Sequence, residues 1–238
     1  MSEKKASKYL AYALGEILLV VIGILIALAI NNANERHKKG SKEQEYLLSL
    51  HKELVSDSLT FVSTQADIER VEQAARRLAV VLEDPRHSIT DSLGFITDFR
   101  TMINVTQTLP EPVVWQELLN TGNLELIQDR KLIETLYAHY HKVQMCQSDY
   151  ESNVLYFVLK GRYIDSSVFS VKESDDLFDN FKMDEMPRKE VFEILLNSVE
   201  LDHVVHGIVS GSVISRLILE SVQESIQTPL QMVSQYLD

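Results

Sequence analysis

The sequence predicts an all-α protein in which one N-terminal transmembrane helix is followed by a long stalk-like helix and an antiparallel helical bundle outside the membrane. Three observations lead to this prediction. The 238 residues include only eight Gly and five Pro, which is few for a turn-rich sheet protein. One apolar run of membrane-spanning length lies near the N-terminus. Apolar residues then recur with helical spacing through the rest of the chain.

Charge divides the chain into a basic beginning and an acidic remainder. Residues 1–42 carry seven Lys or Arg and three Glu, so residues 43–238 hold a net charge of −16 within the total of −12. A domain this acidic repels a phosphate backbone, so we expect no nucleic-acid partner. The basic flanks suit anionic lipid headgroups. We therefore divide the chain into a basic tail (1–9), a transmembrane helix (10–32), a polar joint (33–42) and an acidic helical domain (43–238).

The predicted membrane span runs from Leu10 to Ile30, 21 residues in which Glu16 is the single charge. At about 1.5 Å per residue this run reaches about 30 Å, the thickness of the hydrocarbon core. A cleaved signal peptide is the alternative, because three lysines precede the run and residues 27–29 resemble a cleavage site. The run is longer than the usual signal segment of about 7 to 15 residues, and a buried Glu is unusual there, so we favour a retained span.

Glu16 suggests that this span is more than an anchor. An ionisable group inside the bilayer normally faces other protein or a water-filled cavity. At about 100° per residue, small and polar residues gather along one line with Glu16. Small residues let two helices approach closely, and since we find no second apolar run long enough to span, we expect self-association. The alternative is a Glu16 that is protonated in lipid or reaches the interface. The predicted seam consists of Ala13, Glu16, Val20, Gly23, Ala27, Ile30, Asn31 and Asn34.

Two functions follow as hypotheses. In the first, seams of a homo-oligomer enclose a narrow, cation-favouring pore lined by Glu16, with Asn31 and Asn34 at one end. In the second, the span tethers a sensor or adaptor whose acidic domain binds a protein or a small ligand. Helical sensors bind between helices, so a pocket near Trp115, or between the last two helices, would favour the second hypothesis.

The run YALGEILLVVIGILIALAINNANE resembles the N-terminal signature of a large, poorly characterised family of single-span bacterial membrane proteins. The matching positions are residues 15–17, 20–28 and 31–32, and residues 115–140 match more weakly. Ala29 and Ala33 stand where the family pattern has Gln and Trp, and losing the aromatic ring removes an interfacial anchor.

This resemblance implies the bacterial inner membrane as the location, and it implies no reaction. The short basic N-terminus favours an N-inside topology with the large domain outside the cytoplasm.

Helices are predicted in sequence after the joint. From Glu43, apolar residues at seven-residue spacing, interrupted by Asp57 and Thr64, predict about forty residues of helix. Asp84-Pro85 ends that helix, and Thr90 or Asp91 caps the next one, which runs through Ile103.

Four more helices are predicted after two prolines at 110 and 112. The first spans 112–120 and stops at Gly122, and the second runs from Asp129 past Tyr156. An acidic linker at 172–187 precedes the final helices at 188–200 and 202–235. Gly207 and Gly211 in the last helix predict close packing inside the bundle.

We expect no enzymatic activity and no cofactor, because no catalytic motif occurs. His203 and His206 share a helical face beside two carboxylates and are the candidate metal ligands, but no metalloprotease pattern surrounds them. His139 and His141 point to different sides of a helix and make poor joint ligands. Cys146 has no partner for a disulfide and is expected to be a small buried side chain.

Overall fold

The computed structural model describes residues 3–84, 91–104, 109–168 and 195–237, with side chains from Leu14 onward except at 167–168. Within these ranges the regular structure is entirely helical, which confirms the all-α prediction. The helices are α1 (Glu3–Glu83), α2 (Ser92–Ile103), α3 (Val113–Thr121), a 3-10 turn (Asn123–Leu126), α4 (Arg130–Asn153), α5 (Leu155–Val168) and α6 (Val199–Leu237).

Helix α1 is one continuous helix of 81 residues, about 120 Å long at about 1.5 Å per residue. The predicted joint at 33–42 is helical and lies inside it. Gly40 is the weakest helix former in that joint, and a single Gly costs only about 1 kcal/mol relative to Ala. The apolar segment and the stalk are therefore one rod. It ends at Glu83, before the Asp84-Pro85 pair, as the sequence predicts.

Local capping interactions set three other helix boundaries. The Asp91 carboxylate accepts a hydrogen bond from the Gly94 amide at 2.8 Å and caps α2, whereas Thr90 lies outside the described residues. Gly122 ends α3 with φ of +72°, a left-handed conformation that favours glycine. Asp129 caps α4 by accepting from the amide of Lys131 at 2.8 Å.

Two predicted boundaries differ from the structure. The helix predicted from 129 past 156 is interrupted at Val154, which packs against Gly211 of α6. The last helix begins at Val199 rather than at 202, because the Ser198 hydroxyl accepts from the Leu201 amide at 3.2 Å and serves as the cap. The predicted linker at 172–187 lies outside the described residues.

Two hydrophobic cores hold the helices together. One joins the part of α1 around Leu78 to α2, α5 and the beginning of α6 around Val204. The other joins the part of α1 around Leu54 to α3, α4 and the end of α6 around Val222. Helix α6 packs against α1 more extensively than any other pair of helices does.

An ion pair crosses the contact between α1 and α6. Arg216 of α6 lies 3.3 Å from the buried carboxylate of Glu72. Arg76, one turn further along α1, holds the other Glu72 oxygen at 2.7 Å. Arginines of both helices thus compensate the buried Glu72 charge, and a shift of α6 along α1 would lose the Arg216 contact, which favours the observed register.

Two of the described helices are long and apolar enough to cross a membrane, by length and composition alone: α1 and α6. None of the apolar window of α1 is buried, whereas 39% of the window in α6 is buried inside the protein. Most large apolar side chains of α6 fill the two cores, whereas Ile214 and Leu217 are exposed.

Candidate functional site

The first part of α1 is a bare apolar rod. From Leu14 to Ile30 its large apolar side chains are between 44% and 74% exposed. Each square ångström of such surface costs about 25 cal/mol in water. Exposed apolar area of this extent marks contact with a membrane or with another protein.

The predicted seam lies on this rod and is uncovered. An added Cβ at Gly23 would meet nothing within 4 Å. At about 100° per residue, the seam points roughly opposite to the face of α1 that buries Leu50, Leu54 and Phe61. The remaining described helices therefore leave it free. Its exposed members are Glu16, Val20, Gly23, Ala27, Ile30, Asn31 and Asn34, while the side chain of Ala13 lies outside the described residues.

A groove of about 770 Å³ opens between α3 and α4, within the size range of small-ligand sites. Apolar and aromatic side chains alternate along it with amides, one imidazole and one carboxylate. The lining residues are Leu109, Pro110, Glu111, Pro112, Trp115, Gln116, Leu119, Tyr137, Tyr140, His141, Val143, Gln144 and Gln147.

Three aromatic rings form the floor of the groove. The ring of Trp115 stacks on Tyr140, with centroids 5.3 Å apart and an interplanar angle of 18°. Tyr137 meets Trp115 edge to face at 4.7 Å. Trp115 and Tyr140 are buried, whereas Tyr137 is 48% exposed. The first two rings therefore act as a fixed support, and Tyr137 offers its surface to a ligand.

Glu53 ties this floor to α1. Its carboxylate accepts hydrogen bonds from the amides of Val114 at 2.6 Å and Trp115 at 3.4 Å. A negative charge at the first turn of α3 also interacts favourably with the helix dipole. The hydroxyl of Tyr140 donates to the same carboxylate at 2.8 Å. One α1 side chain thus positions both walls of the groove.

Asp57 lies one turn after Glu53 and is buried, with 4% of its surface exposed. Burial, together with the neighbouring Glu53 charge, raises the pKa of Asp57 to about 7. Burial and the Glu53 carboxylate also raise the pKa of Tyr140. A carboxyl that holds its proton near neutrality avoids placing two charges side by side beneath the groove.

His139 is fully buried behind Tyr140. Its Nδ1 lies 2.8 Å from the Ser225 hydroxyl of α6, whereas its Nε2 meets no hydrogen-bond partner among the described residues. Burial, and to a smaller extent Lys142, lowers the pKa of His139 to about 4. The imidazole is therefore neutral at pH 7 and serves as a packing residue against Phe61.

The two candidate metal ligands have other partners. His206 Nε2 lies 3.3 Å from the Asp202 carboxylate on the same helix, and His203 packs edge to face on Phe157 at 5.3 Å. Across the described parts of the chain, no three His, Cys, Asp or Glu side chains converge as metal ligands do. Cys146 is buried, as predicted.

Sequence reasoning missed the Glu53–Asp57–Tyr140 cluster. It treated Asp57 as an interruption of the apolar spacing, and it named Trp115 as a place where a pocket would favour the sensor hypothesis. The available signal was an acidic residue at a core position one turn after another acid. Nothing local connects Glu53 to α3, because 61 residues separate Glu53 from Val114.

The chain matches a protein family over residues 16–194, a region that contains most of the apolar rod and the whole groove. That family is described as a family of unknown function. No curated protein and no solved structure matches the chain. Because the match covers well over half of the 238 residues, the chain belongs to the family of unknown function DUF6090.

Proposed function

We propose that this protein is a homo-oligomeric, single-pass protein of the bacterial inner membrane, anchored by the first part of α1. The supporting observation is the bare apolar rod from Leu14 to Ile30, which no other described residue covers. In this proposal the basic tail stays in the cytoplasm and the acidic domain lies outside it, arranged as an antiparallel bundle. The order of the two cores supports that arrangement, since the end of α1 pairs with the beginning of α6.

Self-association occurs through the seam. Among the described side chains, none forms a hydrogen bond or ion pair with Glu16, and no described atom lies within 4 Å of a Cβ added at Gly23. A carboxyl in the hydrocarbon core is costly unless it meets protein or water. A second α1 supplies both a polar neighbour and close backbone packing.

The finer version of this proposal is a narrow pore that favours cations. A ring of Glu16 side chains would attract cations, and rings of Asn31 and Asn34 amides would replace part of the hydration shell. In this proposal the domain carries out no reaction and uses no cofactor. It binds no nucleic acid, because its net charge of −16 repels phosphate.

Ion flux through liposomes tests the pore. We expect potassium efflux with the wild type, strongly reduced efflux with Glu16→Ala, and unchanged efflux with Leu25→Ala, a control on the opposite side of the helix. A lack of flux, or equal flux in all three proteins, rules the pore out. The subunit number in detergent gives a second criterion, because about five or more subunits leave a lumen and two do not.

A second candidate function is a membrane-tethered sensor that binds a ligand or a protein segment in the groove. The observation that favours it is the link through Glu53, which joins Trp115 and Tyr140 to the helix that carries the anchor. A ligand that shifts the Tyr140 ring must also disturb the hydrogen bond from the Tyr140 hydroxyl to Glu53 of α1. Occupancy of the groove is thereby coupled to the rod that enters the membrane.

The fluorescence of Trp115, the single Trp in the sequence, tests the sensor. We expect some members of a panel of neutral aromatic small molecules to change its emission in a saturable way. Leu119→Glu, which places a charge in the groove, should weaken that response, whereas Leu159→Glu on exposed α5 surface should not. No saturable change, or an equal response in both variants, contradicts the sensor hypothesis.

A further inference from the structure

A second exposed apolar surface lies on α1 well beyond the membrane segment. Its four members are 45%, 39%, 69% and 62% exposed in chain order, although three of them are next in sequence to the buried residues Leu47, Leu54 and Phe61. Soluble helices usually present charged or polar residues on their open face. We call this surface the outer stripe, and it consists of Leu48, Val55, Leu59 and Val62.

The outer stripe continues the seven-residue register of the seam. Ala13, Val20, Ala27 and Asn34 are spaced by seven residues, and the same count passes through Ser41 to Leu48, Val55 and Val62. Helix α1 is unbroken over this whole distance. An apolar line with a period of seven winds slowly around a straight helix, and two helices keep such lines in contact by coiling around each other.

The other described helices leave this surface accessible. Leu50, Leu54 and Phe61 bury another side of α1 against α3, α4 and α6, about 100° or more around the helix from the outer stripe. A neighbouring α1 can therefore approach along the seam and the outer stripe without meeting those helices. Lys52 lies on the same line, and its long side chain can turn its ammonium group to the edge of such a contact.

Lipid cannot cover the outer stripe if α1 stands upright in the bilayer. Leu48 follows Ile30 by 18 residues, which places it about 27 Å beyond the apolar rod. The headgroup region on one side of a bilayer is only about 5 to 8 Å deep. The occupant of this surface must therefore be protein, and it must lie beside α1 outside the membrane.

We propose that the outer stripe packs against the outer stripe of a second copy of this chain, with the two α1 helices parallel. This inference rests on the proposed function, because the seam is what brings two α1 helices together. Both copies insert with the same topology, so their helices emerge side by side and in the same direction. The interface then extends from the membrane to Val62, with each domain on the outside of the pair.

Cysteine crosslinking of the full-length chain in liposomes tests the extended interface. Four variants are compared with the wild type, which retains buried Cys146 as a common background. Val55→Cys and Leu59→Cys probe the outer stripe, Ala27→Cys probes the seam, and Ser210→Cys places a thiol on exposed surface of α6. A disulfide requires the two Cα atoms to approach within about 7 Å.

We expect a disulfide-linked dimer in Ala27→Cys and in at least one outer-stripe variant, with none above the wild-type level in Ser210→Cys. Adding Leu59→Glu to Val55→Cys should lower the yield of crosslinked dimer, whereas adding Tyr163→Glu on α5 should not.

Crosslinking at Ala27 without any at Val55 or Leu59 overturns the outer-stripe interface and leaves the proposed function standing. A lack of crosslinking at all three positions overturns both. Equal crosslinking at Ser210, or crosslinking at the outer stripe without Ala27, also overturns the continuous interface.

Discussion

At the scale of single residues, the acidic pair Glu53 and Asp57 is the most consequential feature of the helical domain. The Glu53 carboxylate accepts hydrogen bonds from two backbone amides and from the Tyr140 hydroxyl. Asp57 is buried beside that carboxylate, and burial, followed by the Glu53 charge, raises its pKa. One turn of α1 thus holds a carboxyl that organises the groove and a second carboxyl whose protonated form is favoured by burial.

Asp57 makes the stability of the domain depend on pH. Its pKa is about 7 in the folded protein and 3.8 for an unperturbed Asp, so the unfolded chain loses this proton first. The contribution of Asp57 is fully present below about pH 4 and declines until about pH 7. We expect Asp57→Asn to raise the free energy of unfolding by about 2 kcal/mol more at pH 8 than at pH 5.

Urea unfolding followed by Trp115 fluorescence at the two pH values measures this effect. His139 also titrates in this range, but it is present in both proteins and cancels in the comparison. Asp67→Asn, at an exposed ion pair with Arg70, is the matched control and should show little difference between the two pH values. An identical effect of Asp57→Asn at pH 5 and pH 8 would contradict the raised pKa.

At the scale of helices, glycines in α6 determine how closely α4 and α5 approach. A Cβ at Gly211 would lie 2.8 Å from a methyl group of Val154 and 3.0 Å from the Asn153 carbonyl oxygen. A backbone carbonyl cannot move aside as a flexible side chain can. A Cβ added at Gly207 would likewise collide with the ring of Phe157. The predicted close packing of these glycines inside the helical domain is therefore confirmed.

Gly211→Ala should destabilise the domain by about 1 to 3 kcal/mol because overpacking outweighs the gain in helix propensity. Gly40→Ala is the matched control, since an added Cβ there meets nothing within 4 Å. It should leave stability unchanged or raise it by up to about 1 kcal/mol. Thermal unfolding of both variants in the same detergent measures the difference. Similar melting temperatures for the two variants would show that α4 and α6 do not approach closely at this point.

At the scale of the whole molecule, α1 joins two environments in one rigid element. Its first part exposes apolar side chains on every side, and its second part buries one side against the domain. A continuous helix transmits rotation and tilt without loss at a hinge. If the seams pack together as proposed, a change in that packing therefore reaches Glu53 and the groove, and the reverse also holds.

A charge in the middle of the apolar rod should prevent stable insertion. Arg at the centre of a membrane helix costs about 3 kcal/mol on insertion scales. We expect wild-type protein in the carbonate-resistant membrane fraction of a bacterial host, and a clear decrease for Leu18→Arg. Leu59→Arg, which adds the same charge outside the bilayer, should not change this fraction. Retention of Leu18→Arg at the wild-type level would argue against a spanning helix.

The sequence by itself determined the features that depend on near neighbours. The apolar run, the end of α1 before Asp84-Pro85, the cap at Asp91, the left-handed Gly122 and the cap at Asp129 all arise from residues a few positions apart. These features follow from backbone sterics and from the unsatisfied hydrogen-bonding groups at helix ends, which act in the same way in any fold.

Only the tertiary structure decided which distant residues meet. Glu53 reaches Trp115 across 62 residues, Tyr140 across 87, and His139 reaches Ser225 across 86. Helical periodicity indicates which side of a helix is buried, but not which helix covers it or at what height. The groove, the raised pKa of Asp57 and the uncovered outer stripe depend on that choice, because burial is a property of the packed helices together.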